Sequence, residues 1–374
     1  MSAPRHVPIR LGQVGGGSGA FIGDVHRIAA RLDGEFRLVA GALSASPDKA
    51  AASAAAVGIA PDRSYDDFER MAEAEAARED GIEAVAICTP NHLHVPAARA
   101  FLGRGIHVIC DKPLAATLQE ARELLAMARG TRAQFVLTHT YSGYPLVREA
   151  RAIVARGDLG RIRVVQVEYP QNWMTDADET GGDLDWRSDP ARAGAGGATG
   201  DIGTHAFHLA RFVTGLRLDR LAADLGAFVP GRVLDDNAHV ILRFAGGAKG
   251  MLWCSQVAPG HENGLRLRVF GERGGLDWCQ ENPNVLWHTP QGEPTRRLTR
   301  GGPGTSGDGI RVPAGHPEGY FEAFATLYAD AARAIRTGAR GLLPGLEDGV
   351  EGMAFIAACV ASSKADAAWT ELPE

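Results

Sequence analysis

With 374 residues the chain exceeds the size at which a single hydrophobic core usually keeps growing, so two domains are expected. Hydrophobic residues at 45% and charged residues at 22% match ordinary globular usage, which excludes a disordered or fibrous chain. A formal net charge of -6 offers no general attraction for phosphate backbones or anionic lipid, and this excludes nucleic acid and membrane as expected partners.

In chain order, residues 9–14 are apolar and β-compatible and run straight into the glycine-rich stretch 15–23. A helix is expected from about Gly23, because Val25, Ile28, Ala29 and Leu32 recur at helical spacing before Gly34 closes it. A second strand follows at 36–43, then an Ala-rich helix at 49–57, a helix at 66–78 and a buried strand at 84–89. Further strands at 106–110 and 134–138 bracket helices at 95–103 and 117–128, a pattern that demands a parallel sheet covered on both faces. Residues 1–140 are therefore predicted to form a doubly wound parallel domain with a six-strand-like sheet.

After a helix at 146–156 the pattern changes. Strands at 162–169, 237–244, 250–257, 266–270 and 275–279 follow without intervening helices, which predicts a mostly antiparallel open sheet, covered by helices on one face, in a second domain at 141–374. The Gly/Pro-rich segment 301–315 reads as a surface loop, and the apolar-periodic segments 319–336 and 346–365 as helices. The cysteines Cys88, Cys110, Cys254, Cys279 and Cys359 are scattered with no CxxC pair, so free thiols in a reducing cytoplasm are expected rather than disulfides or a zinc site. The first residues lack the apolar core of a signal peptide, and no apolar run long enough to span a bilayer follows.

The stretch Gly15 to Gly23 stands between a strand and a helix, where glycines let a backbone approach a pyrophosphate and a helix N-terminus supplies N–H donors. Gly15, Gly17, Ser18, Gly19, Ala20, Phe21 and Ile22 are the candidate dinucleotide contacts. The string reads either as GxGxxA from Gly15 to Ala20 or as a longer turn ending at Gly23. The acidic residue that normally ends the second strand and holds the adenosine ribose is missing. In its place stand Gly41-Ala42-Leu43-Ser44-Ala45-Ser46, where Ser44 and Ser46 suit a ribose hydroxyl or a 2′-phosphate and no arginine favours the phosphate. NAD is expected, with NADP as the alternative.

Three further strings carry chemistry: Thr89-Pro90-Asn91-His92-Leu93-His94 at the end of one strand, Cys110-Asp111-Lys112-Pro113 at the end of the next, and Gly200-Asp201-Ile202-Gly203-Thr204-His205 in the second domain. Their order, with the glycine loop before and the antiparallel sheet after, resembles the glucose-fructose oxidoreductase, inositol dehydrogenase and MocA family over nearly the whole chain. The resemblance implies a Rossmann domain followed by a substrate-binding and oligomerising domain, and a homo-oligomer, dimer or tetramer. Thr89, Pro90, Asn91 and His94 then join the cofactor contacts. Asp111 replaces the family's usual Glu at the nicotinamide ribose, and Lys112 hydrogen-bonds the reacting oxygen and stabilises charge developing on it. His205 is implied as the general acid/base, and Asp201 holds a substrate hydroxyl or steadies His205, the two sharing a face if the segment is helical. His208 stands where the family often has another Asp.

Lysines after strands are ordinarily solvated and histidines on helices are more often packed than catalytic, so the assignment rests on the order of the motifs. Tyr141 and Tyr144 fall where the family places substrate contacts, and Trp186 with Arg187 offers a platform for a polyhydroxylated ring. The nearby acidic run Asp176, Asp178, Glu179, Asp183 and Asp185 lacks regular ligand spacing, and no metal is expected. The function implied is an NAD(P)-dependent dehydrogenase acting on a secondary hydroxyl of a sugar, glycoside or cyclitol. A glycoside hydrolase or epimerase working through transient oxidation needs the same residues, and a non-catalytic dinucleotide-binding regulator remains a third alternative.

Overall fold

In the computed structural model, which describes residues 7–176 and 185–373, the first half alternates β1 (Ile9–Gly15), α1 (Phe21–Leu32), β2 (Phe36–Ala42), α2 (Pro47–Ala56), α3 (Phe68–Ala76), β3 (Ala84–Cys88), α4 (His94–Leu102), β4 (His107–Cys110), α5 (Leu118–Ala128) and β5 (Phe135–Leu137). The five strands pair in parallel in the order β2-β1-β3-β4-β5. The order reverses between β1 and β3, and in such sheets the crevice beyond the carboxyl ends at that point receives the ligand. Every residue of β3 is buried, with α1 and α4 both packed on it, which is why Ala84-Val85-Ala86-Ile87-Cys88 reads as a continuous apolar run.

Six strands were predicted here and five form. Beyond β2 the sheet continues only as one parallel bridge between Gly41 and Ser64. The reason is a buried ion pair. Arg63 and Tyr65 both turn to Glu75 on α3, with Arg63 Nε 3.1 Å and the Tyr65 hydroxyl 3.0 Å from Glu75 Oε1, while Glu75 Oε2 accepts the Ile82 N–H at 3.1 Å. Those bonds tie the segment to α3 rather than letting it extend along the sheet.

The second half runs α6 (Pro145–Ala155), β6 (Ile162–Pro170), α7 (Asp185–Ser188), α8 (Pro190–Ala193), α9 (Thr204–Thr214), β7 (Leu218–Gly226), β8 (Asn237–Phe244), β9 (Lys249–Ser255), β10 (Arg266–Gly271), β11 (Gly274–Cys279), β12 (Val285–Pro290), β13 (Arg296–Thr299), α10 (Tyr320–Thr337), α11 (Leu346–Lys364) and β14 (Thr370–Glu371). Nine strands form one sheet in the order β13-β12-β11-β10-β6-β9-β8-β7-β14, antiparallel except for β6 with β9. Helices α6 and α9 pack on it, and on β6 the side chains of Val165, Val167 and Tyr169 are buried while Val164 is exposed. Strands β7, β12, β13 and β14 were not foreseen. β7 interrupts its apolar residues with Asp219, Arg220 and Asp224, and β13 and β14 span only four and two residues. The expected loop at 301–315 forms no helix or strand and is pinned by Arg300, whose guanidinium donates to the carbonyls of Val312, Pro313 and His316 and to Glu318.

The chain divides into two compact units, one of residues 1–115, 119–140 and 320–350 and the other of 116–118, 141–319 and 351–374. The sequence reading left 320–350 in the second domain. It belongs to the first because Phe324, Leu327, Tyr328 and Ala331 of α10, spaced along one helical face, share a buried core with Val25, Ala29 and Phe36.

Candidate active site

In the first unit the glycine turn connects β1 to α1. Gly23 lies so close to Gly16 that a Cβ on Gly23 would stand 2.2 Å from the Gly16 carbonyl oxygen, which makes Gly23, not Ala20, the residue that lets α1 pack on the turn. Ala20 is instead the N-cap of α1 and places no side chain on the first-turn N–H groups. A Cβ on Gly17 would meet the Leu43 carbonyl oxygen at 2.6 Å and Ser53 Oγ at 2.9 Å. Ser18 donates its N–H to Ser53 Oγ at 3.1 Å, Gly19 is unobstructed, Phe21 is exposed, and Ile22 is packed against the core. Gly17→Ala is expected to weaken NAD binding at least about tenfold by forcing the turn away from Leu43, as titration of NAD fluorescence quenching would read; unchanged affinity would show that the turn does not hold the cofactor.

Ser44 Oγ accepts the Ser46 N–H at 3.1 Å, which leaves its hydroxyl proton to donate. At the end of β3, Thr89 Oγ1 and His92 Nδ1 are buried and without a hydrogen-bond partner, Pro90 caps a short 3-10 turn, and Asn91 within that turn is buried. A glycine cradle that a Cβ would fill, uncapped helix N–H groups and orphaned polar atoms at the strand ends together fit a dinucleotide.

His94 was expected to touch the cofactor and does something else. It is buried, with Nδ1 2.7 Å from the Pro113 carbonyl and Nε2 2.9 Å from the Thr89 carbonyl, so it ties the end of β3 to the Lys112-Pro113 turn. Burial holds its pKa below the ordinary imidazole value, and a neutral ring donates to one of those carbonyls only. Asp111 accepts the Thr138 hydroxyl at 2.8 Å and lies 3.9 Å from His26 Nε2. Burial alone would raise its pKa, but His26 and then Lys112 outweigh burial and hold the carboxyl well below the usual carboxylate range. Lys112 is half-buried, whereas Lys49, Lys249 and Lys364 are exposed.

In the second unit Asp201 lies within a π-turn, Thr199–Gly203, and His205 in the first turn of α9. The regular α-helical spacing considered for this pair is therefore absent, and a π-turn of this kind is frequent at functional sites. Asp201 accepts Gln256 Nε2 at 2.8 Å. The buried His205 ring stands edge-on to Tyr141, 4.8 Å between centroids, and 6.4 Å from Tyr169. Tyr141 hydrogen-bonds Tyr169, whose hydroxyl donates to Asn263 Oδ1 at 2.7 Å; Gln171 Nε2 donates to the same oxygen at 2.8 Å, and Trp173 Nε1 to Gln171 Oε1 at 2.9 Å. Burial raises the Tyr141 pKa, the Tyr169 and Asn263 bonds offset part of that, and the nearby Asp201 adds to it. Tyr144 stacks behind Tyr141 against Trp278 and is almost wholly buried, a packing position rather than the substrate contact expected of it. His208 is buried and stacked on Phe212.

The π-turn is held from behind. The half-buried Asp235 carboxylate accepts the N–H groups of Gly197 at 2.7 Å and Thr199 at 2.8 Å and the Thr199 hydroxyl at 2.7 Å. Burial lifts its pKa even against those bonds. Asp235→Ala would leave three donors unmatched and is expected to cost about 2 kcal/mol or more in urea unfolding, with turnover falling more than NAD affinity because Asp201 follows the turn.

Trp186 and Arg187 form a pair of their own on α7, the guanidinium carbon 4.5 Å from the indole centroid, and share no described ring contact with His205. Asp178, Glu179 and Asp183 lie outside the described residues. Among the described residues no cluster of His, Cys, Asp and Glu is arranged to hold a metal ion, and no helix is long and apolar enough to cross a membrane. Gln171, Gln256 and Asn263 were missed by sequence reasoning. They carry no motif and come together only through the loops after β6, β9 and before β10.

Comparison with known proteins bears on the family and the fold. Residues 9–139 match the oxidoreductase family with an NAD-binding Rossmann fold, and residues 147–277 match the GFO/IDH/MocA C-terminal domain. An oxidoreductase structure from Sinorhizobium meliloti is 55% identical with a TM-score of 0.89, covering 97% of this chain and 99% of its own. An inositol dehydrogenase homologue from Azotobacter vinelandii, complexed with NADH and myo-inositol, is 37% identical with a TM-score of 0.91, covering 97% of each chain. Levoglucosan dehydrogenase of Pseudarthrobacter phenanthrenivorans is 27% identical over 98% of each chain.

Proposed function

Because the chain belongs to the GFO/IDH/MocA oxidoreductase family, we propose that it moves hydride between NAD and a secondary hydroxyl of a sugar, glycoside or cyclitol, with Lys112, Asp201 and His205 carrying the chemistry. The observation that supports this most is the second-unit cluster: an imidazole and a carboxylate among the hydroxyls and amides of Tyr141, Tyr169, Asn263 and Gln256. Such a wall supplies alternating donors and acceptors for a polyhydroxylated ring. Relatives complexed with NADH and myo-inositol, or named for levoglucosan, point to the same substrate class.

The glycine turn, the N-terminus of α1, Ser44, Thr89 and Asn91 would hold the dinucleotide. When bound, the nicotinamide supplies the hydride acceptor. His205 takes the hydroxyl proton as the C–H bond is broken, and Asp201, oriented by Gln256, binds a neighbouring substrate hydroxyl or steadies the imidazole. Lys112 stabilises negative charge on the same oxygen. NAD is favoured over NADP because Asp48, in the first turn of α2 beyond Ser44, would repel a 2′-phosphate.

Incubation with NAD and a panel of sugars, glycosides and cyclitols tests the reading. NADH formation with one of them is the expected outcome. Aglycone release or inversion without NADH would replace it with a redox-neutral mechanism, and cofactor binding without any turnover would replace it with a regulator.

A homo-oligomer is part of the proposal. Ile241 and Met251 face each other across β8 and β9 and remain exposed, and Val164 and Phe270 do the same across β6 and β10, so one sheet face carries an apolar band in need of cover. Sedimentation at micromolar concentration is expected to give a dimer or larger; a monomer would contradict it. The five free thiols, four of them buried, support a reducing cytoplasm as the place of action.

A further inference from the structure

Helix α1 carries a histidine that the proposed chemistry leaves unused. His26 is completely buried. Its Nδ1 lies 2.8 Å from the Tyr328 hydroxyl on α10, and its ring stands edge-on to Phe324 at 5.2 Å. Its Nε2 has no hydrogen-bond partner and lies 3.9 Å from Asp111 Oδ1. A buried imidazole with an orphaned nitrogen beside a half-buried carboxylate is costly unless the two attract each other.

We propose that His26, backed by Tyr328, is a positioning residue for Lys112: it occupies the Asp111 carboxylate from the interior side and so keeps that carboxylate from capturing the Lys112 ammonium. The inference rests on the reading of Lys112 as the group that meets the reacting oxygen. At 3.9 Å the His26–Asp111 attraction is electrostatic rather than a hydrogen bond, and low interior polarisability strengthens it.

The groups around the pair are few. Tyr328 and Phe324 face His26 from α10 and Cys88 from β3, while Thr138, Lys112 and His94 act on Asp111. Burial alone would strip the proton from His26, yet Cys88, Tyr328 and Asp111 together hold its pKa above the ordinary imidazole value. Of these only Asp111 carries full charge near neutral pH. Remove the His26 ring, and Asp111 loses the group 3.9 Å from its Oδ1 and has two ways to relieve its isolation: it takes up a proton, or it turns to the one cation next to it in sequence, Lys112.

The test uses the whole chain with NAD bound. His26→Asn keeps a donor toward Tyr328 and loses the group facing Asp111, and kcat is expected to fall about tenfold while NAD affinity stays within about twofold. Adding Asp111→Asn to that variant removes the capturing carboxylate; because Asp111 is also expected at the nicotinamide ribose, the double variant is read on Lys112 and not on kcat. Because Lys49, Lys112, Lys249 and Lys364 are the only lysines, carbon-13 dimethylation of the lysines provides a readout independent of turnover. In His26→Asn the Lys112 signal is expected to titrate at higher pH than in the parent, and to return in the double variant. That arm decides the proposal even if no polyol is turned over, an outcome that would sink only the functional reading. Should His26→Asn fail to fold, Tyr328→Phe is expected to shift the Lys112 signal in the same direction by a smaller amount. An unmoved Lys112 signal in either variant overturns the proposal.

Discussion

Replacing His205 with alanine is expected to lower turnover by about a hundredfold or more while NAD affinity stays within about twofold, the usual signature of a lost general base. The ring is buried against Tyr141 at the head of α9, with Asp201 in the turn before it. Its removal opens a small space in the aromatic cluster but breaks none of the Asp235 bonds that hold the turn. The fold should therefore survive, and steady-state kinetics on the best polyol, paired with NAD titration, separates the two effects. Near-normal turnover of the variant between about pH 6 and pH 9, a range that reaches from a partly charged to a fully neutral ordinary imidazole, would make His205 a packing residue and end the mechanism.

Lys112→Ala is expected to depress kcat by roughly 3 kcal/mol, the scale seen when a preorganised donor to a developing oxyanion is removed. KM should rise as well if, as proposed, the same ammonium also meets the substrate hydroxyl. If Lys112 and His205 act on one hydroxyl, the double variant should lose far less than the sum of the two single losses. Additive losses would mean that the two residues serve separate steps.

Much of this was legible before the structure. The alternating apolar runs and glycines announced a parallel sheet followed by an antiparallel one, because buried parallel strands and half-open antiparallel strands differ in their periodicity. The motif strings singled out Lys112, Asp201 and His205 as candidates through the order in which they resemble the family, and the structure places Lys112 just after β4, Asp201 in a π-turn and His205 in the first turn of α9. What escaped was tertiary. Glu75 draws Arg63 and Tyr65 onto α3, and the sixth strand expected of the sheet, to which sequence reasoning assigned no residues, does not form. His94 looked like a ligand of the cofactor, yet both of its nitrogens face main-chain carbonyls that no sequence pattern identifies. Asn263 and Gln256 reach the cluster from loops more than fifty residues beyond His205, and side-chain amides in loops have no period to read.

Helix α10 also bears on how the molecule comes into being. When residues 1–140 have left the ribosome, the faces of Val25, Ala29 and Phe36 that will meet Phe324, Leu327 and Tyr328 are still wet. At ordinary synthesis speeds about 10–40 seconds pass before 320–350 is made. During that interval the nascent nucleotide-binding sheet exposes an apolar surface that only the far end of the chain can close. A fragment cut after residue 140 inherits the same defect permanently, so the first half of this protein matures last even though it is made first.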